Sequence, residues 1–170
     1  MKTTIKTIRL IILLVLFSSL KIFAQQSNFS GTWLIDMSKS DFSKVPAFVM
    51  HSQLILTQTQ DSIIVKAIGA DQNGNPYSAI AKYSLDGKTM EREIPGDKKL
   101  LSAMQWSADK TKLLKDQRYI LTDNPDQPFR TIKETWNLSN DGKTLTVEQN
   151  VEVGNNTASS YSIKAVFDKQ

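Results

Sequence analysis

Cysteine is absent from this chain, and histidine occurs once, at position 51. Without cysteine there are no disulfides, no thiol nucleophile and no thiolate metal site, so stability must come from packing and strand pairing. A single histidine excludes any centre with two or three imidazole ligands. It also leaves His51 as the only base a Ser-His-Asp triad could use, and no Gly-x-Ser-x-Gly elbow accompanies it. His51 therefore reads as an ordinary residue at the end of a loop. Phosphate loops, dinucleotide fingerprints and calcium loops are also missing. Asp71-Gln72-Asn73-Gly74-Asn75 lacks a closing Glu and reads as a turn. Glu91 with Glu93, and Glu148 with Glu152, share strand faces but read as surface charge rather than as an acid/base pair. No cofactor, metal site or catalytic residue is expected, and the chain reads as non-enzymatic. A carboxylate-based hydrolase or isomerase is the alternative.

Long hydrophobic runs are scarce too. The one unbroken stretch, Ile11 to Phe17, follows Lys2, Lys6 and Arg9 and precedes Ile22-Phe23-Ala24. That order of charged, apolar and small residues is that of a cleaved secretory signal. The stretch falls well short of the ~20 residues of a spanning helix. Residues 1–24 are thus expected to be a signal peptide, leaving 25–170 as one exported domain, periplasmic or extracellular, with no integral membrane segment after cleavage; the alternative, suggested by the late Lys21 and by Ile22, is a retained N-terminal anchor. Removing 1–24 takes away Lys2, Lys6, Arg9 and Lys21 and no acid, so 21 basic and 17 acidic residues become 17 of each. The mature chain is formally neutral, and its net charge offers no case for a nucleic-acid or an anionic-membrane partner. Its oligomeric state is not legible.

What the mature region does have is period-two alternation, broken by turn residues about every ten positions, which indicates an all-β sandwich or barrel. In Thr144–Val153, Leu145, Val147, Val151 and Val153 share one face. In the last strand Tyr161, Ile163, Ala165 and Phe167 do the same. Further strands are expected at Gly31–Asp36, Gln53–Gln58, Ser62–Ile68, Tyr77–Leu85, Thr89–Ile94, Leu100–Trp106, Lys112–Leu121 and Arg130–Leu138. Turns at Asp86-Gly87, Asp109-Lys110 and Asp141-Gly142 are expected to close tight hairpins, with Asp109 taking the positive-φ role where glycine is missing. Consecutive hairpins give an antiparallel up-and-down barrel of about 8–10 strands, whose closure removes exposed edges. Met37–Val49, which contains Pro46, is either a short helix or lid over one barrel end or an irregular crossover.

Asn28-Phe29-Ser30-Gly31-Thr32-Trp33 opens the first strand with a Gly-x-Trp. With Ser40-Asp41-Phe42, Asp141-Gly142-Lys143-Thr144-Leu145-Thr146-Val147 and the terminal Val166-Phe167-Asp168-Lys169-Gln170, it resembles the calycins, that is lipocalins, fatty-acid-binding proteins and avidins. More closely it looks like an exported bacterial lipocalin-like group without an assigned function. The resemblance implies that Trp33 closes the barrel base and that Gly31 lets the chain turn tightly beneath it. It departs from the pattern in ending on a strand and in lacking the Arg-x-Tyr that fatty-acid-binding proteins use to hold a carboxylate.

Polar residues on otherwise apolar faces point to a site. Arg92 lies between Met90 and Ile94, Glu134 between Ile132 and Trp136, and Gln149 between Val147 and Val151. Burying such groups in a dry core costs several kcal/mol unless they are paired, whereas a partly wet cavity accommodates them. Arg92 is expected to pair with Glu134 or to meet an anionic head group; the alternative is that these residues mark strand ends, bulges or a structural ion pair. Trp106, Tyr119 and Trp136, with Tyr77 and Tyr83, are candidates for the cavity wall or for core. The expected function is binding of a small hydrophobic or amphipathic ligand inside the barrel. The alternative is an interaction or structural module with a side-chain-filled barrel that acts through its loops.

Overall fold

The computed structural model describes residues 26–42, 45–154 and 157–170. The expected signal peptide lies outside the described residues. Ten strands form one antiparallel sheet: β1 (Gly31–Ile35), β2 (Gln53–Gln58), β3 (Ser62–Ala70), β4 (Pro76–Ser84), β5 (Met90–Ile94), β6 (Lys98–Trp106), β7 (Lys112–Leu121), β8 (Arg130–Leu138), β9 (Thr144–Glu152) and β10 (Tyr161–Lys169). The order is β4-β3-β2-β1-β10-β9-β8-β7-β6-β5. The first and last strands pair, through Trp33 opposite Lys169 and Ile35 opposite Phe167, so the sheet curls into a nearly closed, calycin-like barrel. Among the described residues no helix is long and apolar enough to cross a membrane.

The alternation works as expected in β9 and β10. Leu145, Val147 and Val151 are buried, as are Ile163, Ala165 and Phe167, while Thr144, Glu148 and Lys164 face outward. Val166 breaks the pattern. It points outward yet is buried, because the segment after β1 lies over it. Asp36 N–H donates to its carbonyl at 2.7 Å, and its own N–H donates to Ser40 Oγ at 2.9 Å.

Strand directions give the barrel two ends. The base collects the start of β1 and the ends of β2, β4, β6, β8 and β10. Trp33 is fully buried there, its indole N–H donating to the Phe29 carbonyl at 3.0 Å, with Lys169 Nζ 5.2 Å from its ring. Gly31 has φ +146°, and a Cβ on it would stand 2.7 Å from Lys169 Cε. The tight turn beneath the tryptophan therefore requires glycine. Phe29, Met104, Leu113, Leu145 and Phe167 fill this end completely.

Two turns differ from expectation. At Ser107–Lys112 the left-handed residue is Lys110 (φ 58°), not Asp109. Asp109 instead accepts from Ser107 Oγ at 2.6 Å and Thr111 N at 3.1 Å. Asp141 does the same for Ser139 and Lys143, with Gly142 in the left-handed place. The carboxylate organises the turn and the next residue carries the strained dihedral. At Asp86-Gly87 no hairpin forms. Gly87 N–H donates to Met104 O at 3.0 Å and Asp86 bridges Gln105. The chain leaves β4 for the base of β6, so β4 and β5 are the two edges of the sheet.

The Met37–Val49 segment contains a bridge from Asp41 to Lys164 and a 3-10 turn at Ala47–Val49. Among its described residues that 3-10 turn is the one helical element, and its end, with Val49 and the following His51, lies over the end of the barrel opposite Trp33.

Candidate functional site

The half of the barrel away from Trp33 encloses a cavity of about 610 Å³. Its apolar wall includes Val65, Ala67, Ala81, Met90, Leu100 and Ile132. Small side chains on β3 and β4 leave the space that large ones fill at the base.

The cavity floor is a polar row set by strand register. Lys115 on β7 lies directly opposite Glu134 on β8, which lies directly opposite Gln149 on β9. All three point inward because Leu113, Trp136 and Val147, two residues away on each strand, point inward to the core. Lys115 Nζ donates to both Glu134 carboxylate oxygens, at 3.2 and 3.3 Å. Trp136 Nε1 donates to Oε2 at 2.7 Å, and Gln149 Nε2 to Oε1 at 3.0 Å. Burial alone would push the Glu134 carboxyl up. The Lys115 charge and these donors outweigh it and hold Glu134 below the ordinary carboxylate range. Burial likewise opposes the charge on Lys115, but Glu134 keeps its ammonium above the usual value. The two shifts agree on a charged pair, further favoured by the Tyr83 ring 5.8 Å from Nζ.

At the rim, Arg130 lies on the same inward face of β8 as Glu134, four residues or ~13 Å along the strand. Its Nη2 donates to Tyr161 Oη at 3.0 Å, and the guanidinium lies 5.8 Å from the Tyr119 ring. Its Nε is buried and has no hydrogen-bond partner among the described residues. His51, half-buried on the opposite wall, bonds Tyr77 Oη through Nδ1 at 2.8 Å. Burial, with the Lys115 charge, lowers its basicity, and Glu134 only partly opposes this. Gly69 makes room for that tyrosine, since a Cβ there would stand 2.9 Å from Tyr77 Oη.

Of the residues expected from sequence, Glu134, Gln149, Tyr83, Tyr119 and Arg92 line the cavity. Arg92 does not pair with Glu134, whose cation is Lys115. Arg92 sits on edge strand β5 at the exposed mouth. Trp136 is buried below the floor and reaches the site only through its indole N–H. Trp106 is not on the wall. It belongs to the base, its ring centroid 5.9 Å from that of Phe29, with its Nε1 buried and without a partner among the described residues. Sequence reading missed Lys115, Arg130 and His51, and also the lining residues Lys82, Ser102 and Gln117. The β7 alternation Leu113-Lys115-Gln117-Tyr119 does carry Lys115, but the opposite face, Leu114-Asp116-Arg118-Ile120, is equally mixed, so neither announces itself as inner.

The mouth is lateral. Ile80 and Lys82 on β4 and Glu91 and Arg92 on β5 all line the cavity. They belong to the two edge strands that do not pair with each other. No protein-family model matches the chain, and no curated protein matches it.

Proposed function

We propose that this is an exported, non-enzymatic binding protein that holds one small amphipathic molecule in the open half of its barrel. The observation that carries the reading is the cavity of about 610 Å³, within the range typical of small-molecule sites. An apolar wall and a satisfied, fixed polar floor divide its lining between burial and orientation. The Lys115–Glu134–Gln149 row is electrically neutral and held by several hydrogen bonds, so it presents aimed dipoles at no reorganisation cost. Export rests on the Lys2–Arg9 start, the short apolar run and Ala24.

The test uses 1-anilinonaphthalene-8-sulfonate as a fluorescent probe of the cavity. The parent should bind it saturably at one site. Ala81→Trp, which places an indole in the open half opposite Val65, should abolish that binding while circular dichroism stays that of a β protein. Probe binding undiminished in Ala81→Trp would place the site elsewhere. Native mass spectrometry of protein taken from its own host should show a co-purifying small molecule.

A further inference from the structure

The outer wall of β1–β4 is unlike the rest of the barrel. These four adjacent strands contain no Asp or Glu, whereas of the other six only β6 lacks them and its neighbours β5 and β7 both carry acids. Because Trp33, Leu54, Val65 and Ala81 point inward, their neighbours point out. Leu34, Ile55, Ile64, Ile68 and Ile80 therefore share one surface with Lys66 and Lys82. Register makes it contiguous: Ile55 lies opposite Lys66, Lys66 opposite Ile80, and Ile64 opposite Lys82. Ile80 is 67% exposed, Leu34 40% and Ile64 38%. The acids nearest this wall are Asp61 and Asp71, in the turns at its two ends, and Asp36 and Asp168 at its β1 edge, where Asp168 lies opposite Leu34 and Lys39 pairs with both. Asp71 accepts from the backbone N–H groups of Asn73 and Asn75.

We propose that this wall docks the protein on an anionic lipid bilayer. The wall is a broad convex sheet face rather than a groove, so it suits a surface rather than a peptide or a helix. Exposed branched aliphatics supply apolar contact at the headgroup boundary, and Lys66 and Lys82, which form no ion pair among the described residues, supply attraction to negative lipid. Continuity with the cavity strengthens the assignment. Ile80 and Lys82 belong both to this wall and to the lateral mouth, so a docked molecule would turn the mouth toward a reservoir of amphipathic molecules. The docking itself stands on surface composition and does not depend on the ligand reading.

The experiment is flotation of the host-processed chain with phosphatidylcholine vesicles and with mixed phosphatidylcholine/phosphatidylglycerol vesicles. The parent should float with the mixed vesicles at low salt, hardly at all with pure phosphatidylcholine, and less as salt rises. Ile64→Thr/Lys66→Glu alters neither a lining residue nor a buried one and changes local charge by two units. It should lower partitioning by roughly 30-fold, while anilinonaphthalene binding in vesicle-free solution stays at the parent value. Lys133→Glu, on the outer face of β8, should leave flotation unchanged. The proposal is overturned if the parent fails to float with mixed vesicles. It is equally overturned if Lys133→Glu weakens flotation as much as the double variant does, or if sedimentation shows the parent to be a dimer that the double variant dissociates. Loss of probe binding in every protein, with the flotation pattern intact, would sink the cavity reading alone.

Discussion

Replacing Lys115 by Met would test the polar floor directly. Methionine has nearly the length of lysine, so the wall stays filled, but Glu134 loses the cation that faces both its oxygens. Removing one partner of a buried pair costs about 3–5 kcal/mol, because the other charge stays buried without compensation. The Trp136 and Gln149 donors remain, so the lower figure, about 3 kcal/mol at neutral pH, is expected. For a domain of this size that lowers Tm by roughly 6–12 °C. The pH dependence must also change sign. In the parent, the Glu134 pKa is depressed on folding. Its contribution to stability is therefore present above the unfolded carboxylate value and is lost as pH falls through the folded one. In Lys115→Met, desolvation raises the folded pKa above the unfolded one. The variant is then best off in acid, and its stability drains away as pH rises from the unfolded value toward the folded one. Urea unfolding of Lys115→Met should show a smaller deficit at pH ~5 than at pH ~7.5. Adding Glu134→Gln, which keeps the shape without the charge, should recover most of the loss. A deficit below about 1 kcal/mol at neutral pH, independent of pH, would refute the idea that the pair is buried and charged.

Three further outcomes follow from the geometry. The His51 imidazole, followed by NMR, should titrate below its ordinary 6.5, and its share of stability should be present above that value and lost as pH falls beneath it. Lys110→Gly should stabilise by about 0.5–1 kcal/mol in urea unfolding, because it relieves a left-handed lysine where the equivalent turn has Gly142. Gly31→Ala should destabilise by about 1–2 kcal/mol, its methyl group meeting Lys169 at an unfavourable φ, with the loss visible as a lower Tm.

Much of the fold was legible because strand burial writes itself into every second residue. Leu145-Val147-Val151 and Ile163-Ala165-Phe167 face the core as their alternation requires, and the strand count lies at the upper end of the expected range. Glu134 and Gln149 stood out because their neighbours at i ± 2 are plainly core. Lys115 did not, because β7 is mixed on both faces and only its register against Glu134 selects the inner one. Arg92 misled for a related reason: it occupies an inward position, but on an edge strand where inward still means wet. The hairpin expected at Asp86-Gly87 failed because turn chemistry fixes a local reversal and not the strand that follows. There the glycine pairs with β6, and the β4–β5 seam that results is what opens the cavity sideways. Trp106 and Trp136 were equally suitable for wall or core by composition. Only their distance from the base, set by strand direction, separates them from Tyr119 at the rim.

The most direct measurement is a methyl NMR titration of the protein with 1-anilinonaphthalene-8-sulfonate. Val65, Leu100 and Ile132, which line the open half, should shift progressively and saturate together, while Leu113, Leu145 and Val147, packed at the base, stay still. Shifts confined to the base, or to Ile55 and Ile64 on the outer wall, would contradict a ligand site inside the barrel.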